Sequence, residues 1–233
     1  MKYVVANWKQ NKTALDTANW LEIFGGLNRE SPLDAAKTCV IVAPSYPYIS
    51  VVSAYSYVCA AAQDVSPFDN GAHTASVGTV QLLDYCKYAI VGHSEVGNGL
   101  DLILRKRDKC LEAGITPMVC FSDIAHASQL FCDGALLVWE DPQNISADGR
   151  YAPKDIAEIK VDVAKVDSVT GGLLPVLYGG SVNRQNSDDL ANIPGLDGVF
   201  VGNASLDPQH FYEICKSFTK LRSANFGRRN SKR

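Results

Sequence analysis

Residues 88–121 read YAIVGHSEVGNGLDLILRKRDKCLEAGITPMVCF. Two short apolar runs, Tyr88 to Val91 and Thr116 to Phe121, flank Leu102 to Ala113, where apolar residues recur at helical spacing. A strand, a helix and a second strand in immediate succession predict two parallel strands joined by a helical crossover. Both runs are nearly continuous in apolar residues, as burial on both faces of a sheet requires.

The same alternation continues in both directions. Further strand-like runs are Tyr3 to Ala6, Cys39 to Ala43, Tyr57 to Ala62, Ala135 to Trp139, Leu173 to Tyr178 and Val199 to Val201. Helical spacing recurs in Ala14 to Leu27, Pro153 to Val166 and His210 to Phe218. Eight such repeats with no linker between them favour closure into a barrel over an open doubly wound sheet. The expected fold is therefore α/β: a single (β/α)8 barrel of eight parallel strands with an outer ring of helices, over residues 1–221. The connection SDIAHASQLFCDG is too short for a long helix and should hold a turn or two. Residues 222–233 are basic and lack apolar periodicity, as a solvated, flexible tail would.

Hydrophobic residues make up 46% of the chain, enough for a large core. A net charge of -3 lacks the basic footprint of a nucleic-acid binder, so a small molecule is the expected partner. Seven widely spaced cysteines without a CxxC pair suggest reduced thiols, not a disulfide framework or a zinc site. No run of eighteen apolar residues is present to span a bilayer, and MKYVVANWKQ turns polar too soon for a secretory signal. The expected location is cytoplasmic, with no membrane partner.

In a barrel of this kind the reacting groups sit at the C-terminal strand ends. The first strand runs into Asn7-Trp8-Lys9, where alternation puts the amide and the ammonium on one face. Lys9 there is either an anion ligand or a solvated lysine. The fourth strand leads to Gly92-His93-Ser94-Glu95. A histidine just before a helical segment tends to stay neutral and can donate to a carbonyl oxygen, although a structural role fits the position as well. Glu140 ends the apolar sixth strand as either a solvated cap or a partly desolvated general base. After it, Asp141 to Gly149 is a polar loop that could close over a ligand. Glycine turns end the seventh strand at Tyr178-Gly179-Gly180-Ser181 and the eighth at Val201-Gly202-Asn203. Exposed N–H groups at two consecutive turns point to a phosphorylated substrate, and a tight turn alone also explains either glycine motif.

Together, Asn7-Trp8-Lys9, Gly92-His93-Ser94-Glu95, Glu140, Tyr178-Gly179-Gly180-Ser181 and Val201-Gly202 resemble the motifs of the triosephosphate isomerases, in family order. Smaller similarities lie at Ala62-Gln63, Gly71-Ala72-His73-Thr74, Gly114-Ile115-Thr116-Pro117 and Ala204-Ser205-Leu206. The resemblance implies interconversion of glyceraldehyde 3-phosphate and dihydroxyacetone phosphate through an enediolate, with no cofactor and no metal. Glu140 would move the proton, His93 would polarise the carbonyl, Lys9 would stabilise negative charge and Asn7 would position substrate. Backbone N–H groups of Ser181, Gly202, Asn203 and Ser146 would hold the phosphate. Ile145 would help exclude water when the loop closes. Ser94 and Glu95 would support the site. The family's usual assembly implies a homodimer, with Thr74 reaching the partner's site; a tetramer also occurs in compact members.

The chain departs from the family pattern in several places. After the glutamate stands Asp141-Pro142-Gln143, so the proline is displaced by one position. The loop end reads Ser146-Ala147-Asp148, which adds an acid near the phosphate. Asn203 replaces a glycine, Val96 an arginine and Ser76 an acidic residue. The first three changes bear on loop closure and affinity, the last two on scaffold or assembly.

Overall fold

The computed structural model describes residues 1–141, 144 and 152–220. Eight parallel strands close into a barrel in chain order: β1 (Lys2–Asn7), β2 (Thr38–Ala43), β3 (Cys59–Ala62), β4 (Tyr88–Val91), β5 (Thr116–Phe121), β6 (Leu136–Glu140), β7 (Val176–Gly179) and β8 (Leu196–Val201). The helices are α1 (Ala14–Glu30), α2 (Ile49–Ser53), α3 (Thr79–Leu82), α4 (Leu100–Glu112), α5 (Ala127–Leu130), α6 (Ile156–Val169), α7 (Ser187–Leu190) and α8 (Pro208–Thr219). The expected single (β/α)8 barrel is the fold observed. Among the described residues, no helix is long and apolar enough to cross a membrane. The basic tail at 222–233 lies outside the described residues.

Strand alternation builds two cores. Val5, Ile41, Ala61, Ile90, Met118, Val138, Leu177 and Phe200 fill the barrel interior. Their neighbours in sequence, such as Val4, Val42, Val91, Val119, Leu137 and Val199, face the helices. Inward side chains from the eight strands make the interior a packed plug, so ligands are confined to its ends.

The helix layer is anchored where the site will stand. α1 starts at Thr13, whose hydroxyl accepts from the Asp16 N–H while the Asp16 carboxylate accepts from the Thr13 N–H. Such a cap contributes about 1 kcal/mol. Trp20 of α1 stacks on Phe24 at 4.9 Å and meets Trp8 edge-on at 5.0 Å. Its indole N–H donates to the Ser205 carbonyl at 3.0 Å. One aromatic cluster thus fixes the segments that follow β1 and β8.

Closure of the cylinder depends on Gly198. It pairs with Tyr3 across the seam between β8 and β1, and a Cβ there would lie 1.9 Å from the Tyr3 carbonyl oxygen. No side chain fits in that space.

Several boundaries differ from the sequence expectation, among them β8, which starts at Leu196 and not Val199, and three late starts. β3 starts at Cys59, not Tyr57, because the Tyr57 hydroxyl is turned outward to donate to the Leu21 carbonyl of α1. β7 starts at Val176, not Leu173, because Gly171 and Gly172 take left-handed turns and Leu173 is left exposed. α6 starts at Ile156, not Pro153, because the Asp155 carboxylate caps the Ala157 N–H. The connection between β5 and β6 holds a 3-10 turn and the four-residue α5, the short element expected there.

Candidate active site

At the C-terminal end of the barrel, Lys9, His93 and Glu140 line a cleft together with residues 179–182, Phe200 and residues 202–204. A larger and more open cavity lies between residues 67–73 and α4. No strand end contributes to that second cavity, and its lining mixes Arg105 and Lys109 with Asp69, Asp108 and Glu112. The chemistry therefore belongs to the smaller cleft.

Asn7 is buried as the last residue of β1, and its Oδ1 accepts from the Lys9 N–H at 3.1 Å. Lys9 itself has φ +52°, a left-handed conformation that costs a non-glycine residue roughly 1–3 kcal/mol. Its carbonyl is clamped in compensation, by the Ser45 hydroxyl at 3.1 Å and the Gln63 amide at 2.8 Å. The backbone twist delivers the ammonium to the cleft, where it lies 2.5 Å from Glu95 Oε1.

His93 reaches the cleft by a different device. Alternation along β4 would send residue 92 inward and residue 93 outward, but Gly92 at φ +77° turns the chain. A Cβ on Gly92 would press to 3.1 Å from the Cys120 carbonyl and 2.9 Å from Ile103. His93 is buried, and its Nδ1 accepts from the Glu95 N–H at 3.2 Å. The proton is thereby left on Nε2, which lies 3.5 Å from Glu140 Oε1. Burial lowers the His93 pKa, the nearby Lys9 charge adds to the lowering and Glu95 opposes it. A neutral imidazole with its N–H facing the cleft can donate to a carbonyl or enediolate oxygen.

Glu140 follows Val138 into the barrel by strand alternation and pairs with Gly179 of β7. The absence of a side chain there makes room: a Cβ on Gly179 would lie 3.0 Å from Glu140 Cγ. Burial pushes the carboxyl up to about 7, with Glu95 also raising it and with Lys9 and the Cys120 thiol opposing. A base tuned near neutrality combines useful ionisation with driving force for proton abstraction.

Ser181, Gly202 and Asn203 line the same cleft. Ser181 has φ +48°; its hydroxyl donates to the Asn144 carbonyl at 2.7 Å and accepts from the Ala152 N–H at 3.0 Å. Gly202 opens a 3-10 turn over Asn203–Ser205, and the Asn203 side chain is exposed, so its bulk stays clear of the backbone. Ser94 begins the 3-10 turn after His93 and is exposed. Thr74 stands at the exposed tip of the segment after β3, outside this cleft. Ser146 and Ile145 lie outside the described residues.

A sequence model of the triosephosphate isomerase family matches residues 2–131 and 138–218. The chain belongs to the triosephosphate isomerase family. It is similar to the triosephosphate isomerase of Polynucleobacter asymbioticus, at 29% identity over 92% of this chain and 98% of that one. Similarity to the Thermus thermophilus triosephosphate isomerase is 32%, covering 91% and 97% of the two chains. For that of Mesomycoplasma hyopneumoniae the identity is 32%, covering 91% and 98%.

Several contacts in this family member were not visible as chemistry in its sequence. Ser45 and Gln63 support the strained Lys9 through backbone contacts alone, and Cys120 reaches the Glu140 carboxyl from inside β5. Where the family has proline after its glutamate, Asp141 Oδ2 meets Lys154 Nζ at 2.7 Å. Lys154 also bonds Asp162 of α6 at 2.7 Å and lies 5.1 Å above the Trp139 ring. The residue next to Glu140 is thus tied to α6 by a bridge of three largely buried side chains. Inward alternation along β5 was a usable signal for Cys120; no sequence pattern announces the bridge.

Proposed function

We propose that the chain interconverts D-glyceraldehyde 3-phosphate and dihydroxyacetone phosphate by proton transfer through an enediolate, the aldose-ketose isomerisation of its family. The observation that carries this reading is the pairing of a desolvated carboxyl and a neutral imidazole 3.5 Å apart, beside a lysine, in one cleft. Glu140 takes the proton from one substrate carbon and returns it to the next. His93 Nε2–H donates to the carbonyl oxygen as negative charge develops, and Lys9 stabilises that charge in a partly water-excluded site. Asn7 positions Lys9 and faces the substrate. Backbone N–H groups of Ser181, Gly202, Asn203 and Ser146 hold the phosphate; the left-handed Ser181 and the turn opened by Gly202 support this. Glu95 holds Lys9 and His93 in place before substrate arrives, with Ser94 starting the turn that carries it.

The working form in this reading is a homodimer in the cytoplasm, with Thr74 of each subunit at the other's site. Exposed large apolar side chains in the segments after β2, β3 and β4 support such an interface: Tyr46, Phe68, Val80, Leu83, Tyr85 and Val96.

Steady-state turnover of glyceraldehyde 3-phosphate in a coupled assay tests the activity, with Glu140→Gln as control. Turnover by the wild type that the variant lacks is expected. Folded wild type without turnover would overturn the reading.

A further inference from the structure

At the opposite end of the barrel, where the strands begin, the inward positions carry Tyr3, Cys39, Cys59 and Tyr88. Cys39 Sγ lies 3.9 Å from Cys59 Sγ, with the Cys39 thiol donating, and 3.6 Å from the Tyr88 hydroxyl. Among the described residues this is the one sulfur–sulfur contact within hydrogen-bonding distance. Cys86, Cys110, Cys120 and Cys215 are buried, whereas Cys39, Cys59 and Cys132 are partly exposed. Two partly exposed thiols, Cys39 and Cys59, therefore face each other at the entry end of the barrel, and the proposed isomerisation uses neither.

We propose that Cys39 and Cys59 form a dithiol modification site whose substrate is a hydroperoxide. Cys59 sulfur attacks a peroxide oxygen; the O–O bond breaks, leaving Cys59 as a sulfenic acid and releasing water or an alcohol. Cys39 sulfur then attacks Cys59 sulfur. The S–O bond breaks, hydroxide departs as water with the Cys39 proton, and a disulfide joins β2 to β3. Two thiols give up two electrons and two protons, and the peroxide is reduced by the same two electrons. The hydrogen bond runs from the Cys39 thiol to the Cys59 sulfur, which favours Cys59 as the first nucleophile. That bond and the Lys87 charge pull the Cys59 pKa down to about 6, against a smaller burial effect, and the same bond pushes Cys39 up. A thiolate at Cys59 is the nucleophile the first step needs. The sulfurs must close to about 2 Å. Cys59 pairs with Ile41, two residues along β2 from Cys39, so the closure also draws the entry ends of β2 and β3 toward each other.

The test is oxidation of the intact protein with hydrogen peroxide, followed by intact mass and peptide mapping. Expected is a loss of about 2 Da with a Cys39–Cys59 cross-link that dithiothreitol reverses. Cys39→Ser should stop at a Cys59 sulfenic acid trapped by dimedone, and Cys59→Ser should leave Cys39 unmodified at the same peroxide concentration. Absence of the cross-link in the wild type, or oxidation of Cys59 no faster than that of Cys132, would overturn the proposal. Each readout is independent of isomerase turnover.

Discussion

The two ends of this barrel handle left-handed backbone differently. Among the described residues, the positive-φ positions in the turns entering β5, β6, β7 and β8 are all glycines, Gly114, Gly134, Gly171, Gly172 and Gly195, whereas the exit end uses glycine at Gly92 and Gly97 and other residues as well. Glycine meets these demands without strain. The non-glycine residues at positive φ are Lys9, Lys12, Ala75 and Ser181, all in segments leaving β1, β3 or β7. The entry end is built for stability, whereas at the exit end strained side chains persist where a side chain is wanted and the surroundings hold it. Lys9, held by Ser45 and Gln63, is the clearest case.

Removing the proposed base should break this contrast most severely. Glu140→Gln keeps the shape and removes the proton acceptor, so kcat should fall by about a thousandfold or more, with inhibitor binding largely retained. Coupled-assay kinetics and isothermal titration of a phosphoglycolate-type inhibitor measure the two quantities.

The same variant should expose the cost of building the active end. The Glu140 pKa in the folded protein, about 7, stands above its ordinary value of 4.5. A raised pKa contributes stability that is fully present below the unfolded value and lost as pH rises through the folded one. Between pH 4.5 and 7 this carboxyl therefore progressively withdraws stability, on the order of 3 kcal/mol in total. Urea unfolding of Glu140→Gln should match the wild type below the unfolded value of 4.5 and exceed it above the folded value of about 7. In the free wild-type enzyme, kcat/KM should fall as pH drops through about 7, because only the ionised carboxylate accepts a proton.

A smaller effect is expected at the bridge beside the base. Lys154→Met leaves Asp141 and Asp162 without their shared cation. Looser positioning of Glu140 should lower kcat/KM by about tenfold and raise the release of inorganic phosphate per isomerisation, because a poorly held enediolate eliminates its phosphate. An unchanged ratio of the two products would detach the bridge from catalysis.

The smallest effect sharpens the comparison from the other end. A Cβ on Gly114 would meet nothing within 4 Å, so Gly114→Ala adds only the strain of φ +78°. Stability should drop by about 1 kcal/mol while kcat stays within twofold. A large loss of turnover would erase the division of labour between the ends.

Much of this was legible because period-two alternation and apolar runs are local signals. They placed all eight strands and set Asn7 by parity, while Glu140 stood out as the carboxylate that ends an apolar strand. His93 was found for a reason parity does not supply: alternation alone turns it outward, and Gly92 reverses it. The late starts of β7 and α6 were hidden because Leu173 and Pro153 extend apolar patterns that a glycine turn and the Asp155 cap interrupt. The Lys154 bridge and the pairing of Cys39 with Cys59 were invisible for another reason. Each joins residues that only the tertiary fold brings together, and neither type of side chain signals its partner.

Gly198 carries a consequence for how the chain folds. The Tyr3–Gly198 pairing joins residues from nearly opposite ends of the chain, so its loop-closure entropy is among the largest in the fold. The seam should form late, after the inner strands have assembled on one another. Until then β1 and β8 are bare sheet edges, open to pairing with a neighbouring molecule. The hydrogen atom that stands in for a side chain at position 198 thus governs whether a nascent chain shuts on itself or adds to another.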